Sequence, residues 1–339
     1  YCIDLETGRS VWRKIKRDGL SSVPAVTGVG NNYFYCADQY SQVDSQWVGS
    51  VYRGDVLAPI ADELIVSPTL PREVSGRSGA PAGAVAVCAF TQDQDLMLIV
   101  DYQTTAPPAR EGIMRSVYGL YNLTKRQWVY QNKPLTAPSY GTVVDGLPVV
   151  YKGNVYHSVG RFLTCHDLAT GQQIWERGFR GNFLFSGFLI ADGLLVANCE
   201  DTYMYGLDPN TGLDLWREKS SGTSTRLVYQ DGVVYFSGGG DGLLHAVDIQ
   251  KGKHLWKLQS PARRRGKKRE DFCQYGHQCS LLRSCQVRYG WILYSSIKEM
   301  TEQAMRLDVN AIIGVDLDYE TIGDSMLMVS ANGTGVVLE

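Results

Sequence analysis

No apolar run in these 339 residues approaches the roughly 18 residues that a membrane-spanning helix needs, so no such helix is expected. None of the eight cysteines is adjacent to another, which excludes a vicinal disulfide. Neither sign of charge dominates: 33 Lys and Arg stand against 35 Asp and Glu, a formal net charge of −2. The one concentration of positive charge is therefore local. What is plentiful is glycine (36), tyrosine (20) and a 44% hydrophobic share, an all-β composition. The chain exceeds the usual size of a single core, a limit that repeat architectures escape because each repeat packs on its neighbours alone.

One phrase is written several times. Gly206-Leu207-Asp208-Pro209-Asn210-Thr211-Gly212-Leu213-Asp214-Leu215-Trp216 returns 40 residues later as Ala246-Val247-Asp248-Ile249-Gln250-Lys251-Gly252-Lys253-His254-Leu255-Trp256. A fixed period near 40 marks a repeat architecture. Each copy opens on a strand pattern such as Leu244-His245-Ala246-Val247. Its Asp-x-x-x-Gly step is turn chemistry, since Asp bonds its own backbone and Gly accepts positive φ. A Trp recurring once per copy reads as an apolar plate between stacked units. The same spacing sets Asp4, Gly8 and Trp12 in one worn copy and Asp167, Gly171 and Trp175 in another. A degraded fifth copy runs from Tyr118 to Trp128.

This pattern resembles the tryptophan-docking repeat of the pyrroloquinoline-quinone-like β-propellers, clearly over 138–258 and weakly elsewhere. The resemblance implies an all-β propeller of four-stranded blades. Seven blades follow if strands from about residue 325 join strands 1–18 in one blade. Eight is the alternative, because Leu338-Glu339 and Tyr1-Cys2 claim the same strand. Gly314 and Asp316 fit a further worn copy. One domain over 1–339 is expected, with loop insertions at about 67–83, rich in Pro and Gly, and at about 259–287. The phrase is already under way at Cys2, so any leader would lie upstream.

Some residues invite chemistry. Cys2 and Cys165 occupy the slot held by Gly206 and Ala246, which suits a small buried hydrophobe rather than a disulfide or nucleophile. Cys273, His277, Cys279 and Cys285 are zinc-ligand types, but their spacing departs from paired Cys-x2-Cys, leaving them weak metal candidates. His157, His166, His245 and His254 lie in or beside repeat strands and read as structural or surface residues. Arg263, Arg264, Arg265, Lys267, Lys268 and Arg269 form a basic loop able to meet an anionic surface, with a solvated loop as the plain alternative.

Family resemblance makes a quinoprotein dehydrogenase the sharp hypothesis. Those enzymes hold the quinone above a vicinal disulfide, beside calcium, with an Asp base. The adjacent cysteine pair is missing here, and Asp208 and Asp248 are accounted for as turn formers. The expectation is therefore a non-enzymatic protein-binding scaffold without cofactor, similar to the quinone-free members such as the outer-membrane assembly lipoprotein, and a subunit of a larger complex. A dehydrogenase and a sensor domain of a larger protein are the alternatives. Periplasm or cell envelope follows from the resemblance, whereas unpaired cysteines suit the cytoplasm.

Overall fold

A computed structural model describes residues 2–4, 10–12, 26–41, 46–57, 62–70, 80–104, 116–136, 146–183, 187–222, 226–258, 311–322 and 326–336. The elements assigned are all strands. The chain divides into two compact units, one of 1–14 with 260–339 and the other of 15–259.

Strands β1 (Cys2–Asp4) and β2 (Ser10–Trp12) belong to the first unit. The second unit starts with β3 (Thr27–Val29), β4 (Asn32–Ser41), β5 (Gln46–Asp55) and β6 (Glu63–Val66), an antiparallel meander. Strand β7 (Thr69–Leu70) pairs with β8 (Ala80–Gln92), which continues through β9 (Asp95–Thr104), β10 (Ser116–Asn122) and β11 (Gln127–Pro134) as a second meander. The two meanders are linked by one parallel strand pairing, Gly49 with Gly83, into a nine-stranded sheet, and share one hydrophobic core. Strands thus enter both ends of the expected 67–83 loop: Ala82 N–H bonds Pro68 O at 3.2 Å, and Pro81 sits in a short two-residue pairing, where a missing donor costs least. Residues 71–79 lie outside the described ones.

Three separate four-stranded antiparallel sheets follow, with strands adjacent in chain order. They are β12 (Val149–Tyr151), β13 (Asn154–Val159), β14 (Phe162–Asp167) and β15 (Gln173–Gly178); then β16 (Phe188–Ala191), β17 (Leu194–Asn198), β18 (Tyr203–Leu207) and β19 (Asp214–Lys219); then β20 (Val228–Gln230), β21 (Val233–Ser237), β22 (Leu244–Asp248) and β23 (Lys253–Leu258). The first strands β8, β12, β16 and β20 are successive neighbours, so the sheets stack face to face.

Strand alternation explains the stacking. On β17, Leu195 and Ala197 join one core with Tyr156, Leu163 and Phe183, while Leu194 and Val196 join the next with Val234, Phe236 and Val247. A central strand is thus apolar on both faces, each face serving one neighbour. The fourth strand is different: β15 and β19 are exposed or half-buried along their whole length.

In the first unit, β24 (Ala311–Ile322) pairs with β1, and β25 (Met326–Val336) pairs with β24, giving the order β2-β1-β24-β25. The N-terminal strands therefore share a sheet with C-terminal ones.

Candidate functional site

The repeated phrase builds one joint several times. Gly171, Gly212 and Gly252 each donate N–H to the carbonyl of the Asp four residues earlier, at 2.8 Å. The Asp side chains close the same turn: Asp167 Oδ1 accepts from Thr170 N–H at 2.8 Å, Asp208 Oδ1 from Asn210 N–H at 2.8 Å and Asp248 Oδ1 from Lys251 N–H at 2.9 Å. Trp175 lies on the turn of the next sheet, with Nε1 donating to Pro209 O at 2.9 Å. Trp216 repeats this on Ile249 O at 2.8 Å. A Cβ on Gly212 would meet Trp175 at 2.8 Å and one on Gly252 would meet Trp216 at 2.3 Å, so both turns need glycine for space as well as for φ of +68° and +63°. The indoles are half-buried rather than enclosed, because they sit on outer strands. Trp256 is 44% exposed, and the stretch that would follow it, 259–310, lies outside the described residues.

The degraded copy is in a different register from the one its Trp suggests. Tyr130, not Trp128, lies against Gly171, and its hydroxyl donates to Leu168 O at 3.1 Å. Asn122 takes the Asp slot, accepting from Lys125 N–H at 2.8 Å, and Arg126 takes the glycine slot with φ of +52°. Trp128 packs on Tyr121 and Gly119 of its own sheet. The spacing of eight from Asn122 to Tyr130 was the available signal.

Each outer strand also carries a bulge at one place. Trp175 faces Cys165 and Gln173 faces His166, which leaves Ile174 unpaired. Leu215, Leu255 and Val129 are the equivalent extra residues, and Val11 falls there between Ser10 and Trp12. Bulges re-aim side chains. Val129, Ile174, Leu215 and Leu255 are 50–59% exposed.

A polar seam interrupts the apolar interface between the β8–β11 and β12–β15 sheets. Asp101 and His157, both fully buried, meet at 2.9 Å between Oδ2 and Nδ1. Burial, opposed by the imidazole, raises the Asp101 pKa. The Tyr118 ring lies 4.5 Å from His157 and 4.9 Å from His166, centroid to centroid. Asp101 Oδ1, Tyr118 Oη, His157 Nε2 and both His166 nitrogens have no partner in hydrogen-bond geometry. His166 is held neutral, its pKa lowered to about 3 by burial first and then by His157. Of the structural and surface roles expected for His157 and His166, the buried positions are the structural ones: His157 lies with Val155 and Val159 on β13, and all three are buried.

His245 and His254 join two sheets. Asp241 Oδ1 meets His245 Nε2 at 3.1 Å, His245 Nδ1 meets His254 Nε2 at 2.9 Å, and His254 Nδ1 meets Glu218 Oε1 of β19 at 3.1 Å. Burial lowers the His245 pKa, opposed by its hydrogen bond to Asp241.

Between the β12–β15 and β16–β19 sheets lies a cavity of about 350 Å³ lined by Arg161, Arg177, Arg180, Arg217, Phe179, Tyr205 and Asp214. None of these residues was singled out from the sequence, because the arginines come from separate strands and turns.

Cys165 and Cys199 are buried free thiols, pushed up to about 11 and about 12 chiefly by burial, which makes them poor nucleophiles. Cys165 pairs with Trp175, as Gly206 does with Trp216 and Cys2 with Trp12. Asp4 lies on β1 and Trp12 on β2. Gly8, the basic loop 263–269, and Cys273, His277, Cys279 and Cys285 lie outside the described residues. Among the described residues no group of three or more His, Cys, Asp or Glu is placed to hold a metal ion. No helix there is long and apolar enough to cross a membrane.

A stack of four-stranded sheets joined by a docking aromatic on the next turn defines a tryptophan-docking repeat array. Residues 116–275 match the family model described as outer membrane protein assembly factor BamB, so this stretch carries the pyrroloquinoline-quinone-like repeat. The structure of BamB from Moraxella catarrhalis is similar at 16% identity, covering 76% of this chain and 70% of that one, with a TM-score of 0.45. Quinohemoprotein alcohol dehydrogenase from Comamonas testosteroni is similar at 21% identity over 34% of this chain and 21% of that one, with a TM-score of 0.32. Residues 294–339 match a second family model, described as putative heavy-metal-binding. A UPF0145 protein of Carboxydothermus hydrogenoformans is 58% identical over 43 residues, 13% of this chain and 40% of that protein. The chain spans about two fifths of the length of the curated relatives it matches. The stretch around Gly314 and Asp316, expected as a worn copy of the repeat, thus falls within a match to a different family.

Proposed function

We propose that this chain is a non-enzymatic protein-binding scaffold and a subunit of a larger assembly, built on a propeller-type repeat array with a C-terminal unit of different family over 294–339. The observation that carries the reading is the repeated bulge: Val129, Ile174, Leu215 and Leu255 are held out to solvent at equivalent places on four outer strands. A single exposed aliphatic is ordinary, but a row at the sheet period is a surface suited to a protein partner. The match to an assembly factor over 116–275 supports the same reading. Seven blades, with eight as the alternative, remain the proposed count.

The dehydrogenase alternative has less support. Asp167, Asp208 and Asp248 are bound to turn amides, and hydrogen bonds to those amides and to neighbouring side chains lower the pKa of Asp167 and Asp248. The 294–339 segment holds no Cys and no His, the donors that heavy metals take first, so no metal role is assigned to it.

Affinity capture with the full chain tests the reading against a variant carrying Ile174→Asp, Leu215→Asp and Leu255→Asp. The wild type should retain a partner that the variant loses at unchanged melting temperature. Equal capture by both would overturn the row as the contact surface. Stoichiometric binding of pyrroloquinoline quinone in the presence of calcium would favour the dehydrogenase.

A further inference from the structure

We propose that the arginine-lined groove between the β12–β15 and β16–β19 sheets receives an acidic, partly apolar peptide segment of the partner protein. This inference rests on the scaffold reading above and names the chemistry of the partner.

The groove is already partly organised. Arg177 Nη1 donates to Gly212 O at 2.8 Å, and its Nη2 pairs with Asp214 Oδ1 at 2.8 Å. Its guanidinium stands 4.6 Å from the centre of the Phe179 ring. Arg217 lies over Tyr203 at 3.5 Å. Ring stacking fixes a guanidinium while leaving its edge N–H groups free to grip a carboxylate. Asp214, the one acid lining the cavity, is committed to Arg177. Among the described residues, no carboxylate forms an ion pair with Arg161, Arg180 or Arg217. Three arginines without an ion pair among the described residues therefore line one concave site, in a chain whose net charge is −2, while Asp201 Oδ2 accepts from the Tyr205 hydroxyl at 2.6 Å.

Shape and surroundings select the occupant. A cavity of about 350 Å³ takes one or two side chains and is far too small for a nucleic-acid duplex. Phe179 and Tyr205 give it aromatic walls. Carboxylates beside apolar side chains match that mixture. A flat anionic membrane does not reach into it.

The test is fluorescence anisotropy of the full chain with a short labelled peptide alternating Glu with Leu and Phe, against the same peptide with Lys for Glu. Arg161→Glu with Arg180→Glu is the variant, since both side chains are exposed and outside the described hydrogen bonds, so melting should be unchanged. The acidic peptide should bind the wild type, weaken with salt, and lose about tenfold or more in the variant. Equal affinity for both proteins, or equal binding of the Lys peptide, would overturn the proposal. So would saturable binding of inorganic phosphate or phosphatidylglycerol vesicles, lost in the variant, without peptide binding. Partner capture that depends on Ile174, Leu215 and Leu255 while the acidic peptide fails to bind would sink this inference and leave the scaffold reading standing.

Discussion

A neutral imidazole buried between two sheets ties stability to pH. Folded His166 keeps its pKa near 3, while an unfolded histidine takes a proton near 6.5. Below about pH 6.5 the unfolded state therefore holds a proton that the folded state refuses, and stability falls as pH drops toward 3; above 6.5 the contribution is complete. The expected slope is up to roughly 1.4 kcal/mol per pH unit. Urea melts between neutral and mildly acidic pH should show this slope in the wild type and a shallower one in His166→Phe. Parallel slopes would mean that His166 is not neutral in the fold. Sequence gave little access to this seam: Asp101, Tyr118, His157 and His166 come from four strands, and the one local clue was a histidine alternating with Val155 and Val159.

Sheets are coupled by an aromatic and a turn, and the coupling can be measured from either side. Trp216→Ala removes a half-buried indole and its bond to Ile249 O, for a loss of about 3 kcal/mol. Gly252→Ala should lose a comparable amount by forcing a methyl group against the same ring at positive φ. The double variant should lose less than the sum, because both changes break one joint. Tyr130→Phe should cost about 1 kcal/mol, the hydrogen bond to Leu168 O. Additive losses for the Trp216 and Gly252 pair in denaturant melts would show that they are not one joint. Four-stranded units and their turn residues were legible because Asp, Gly and Trp recur at fixed spacing. The fifth copy misled because a tryptophan stood two residues before the tyrosine that takes its place, and turn chemistry identifies Asn122 and Arg126 only when the whole slot pattern is compared. Breakers hid β7 and the start of β8, since Pro and Gly at a short edge pairing look the same in sequence as a loop.

On the scale of the whole chain, the repeat explains 116–258 and has less hold on the ends. Gly314 and Asp316 fit the spacing with no Trp after them, and the match over 294–339 is to another family. The arginine groove was invisible for a different reason: Arg161, Arg177, Arg180 and Arg217 converge only when two sheets are stacked. Docking of a partner protein on the outer strands, as proposed above, is open to hydrogen–deuterium exchange of the full chain, free and bound to its captured partner. Protection on binding is expected at 173–178, 213–219 and 253–258, with the turns at 192–193 and 231–232 unchanged. Protection confined to those turns, with the outer strands unaffected, would contradict it.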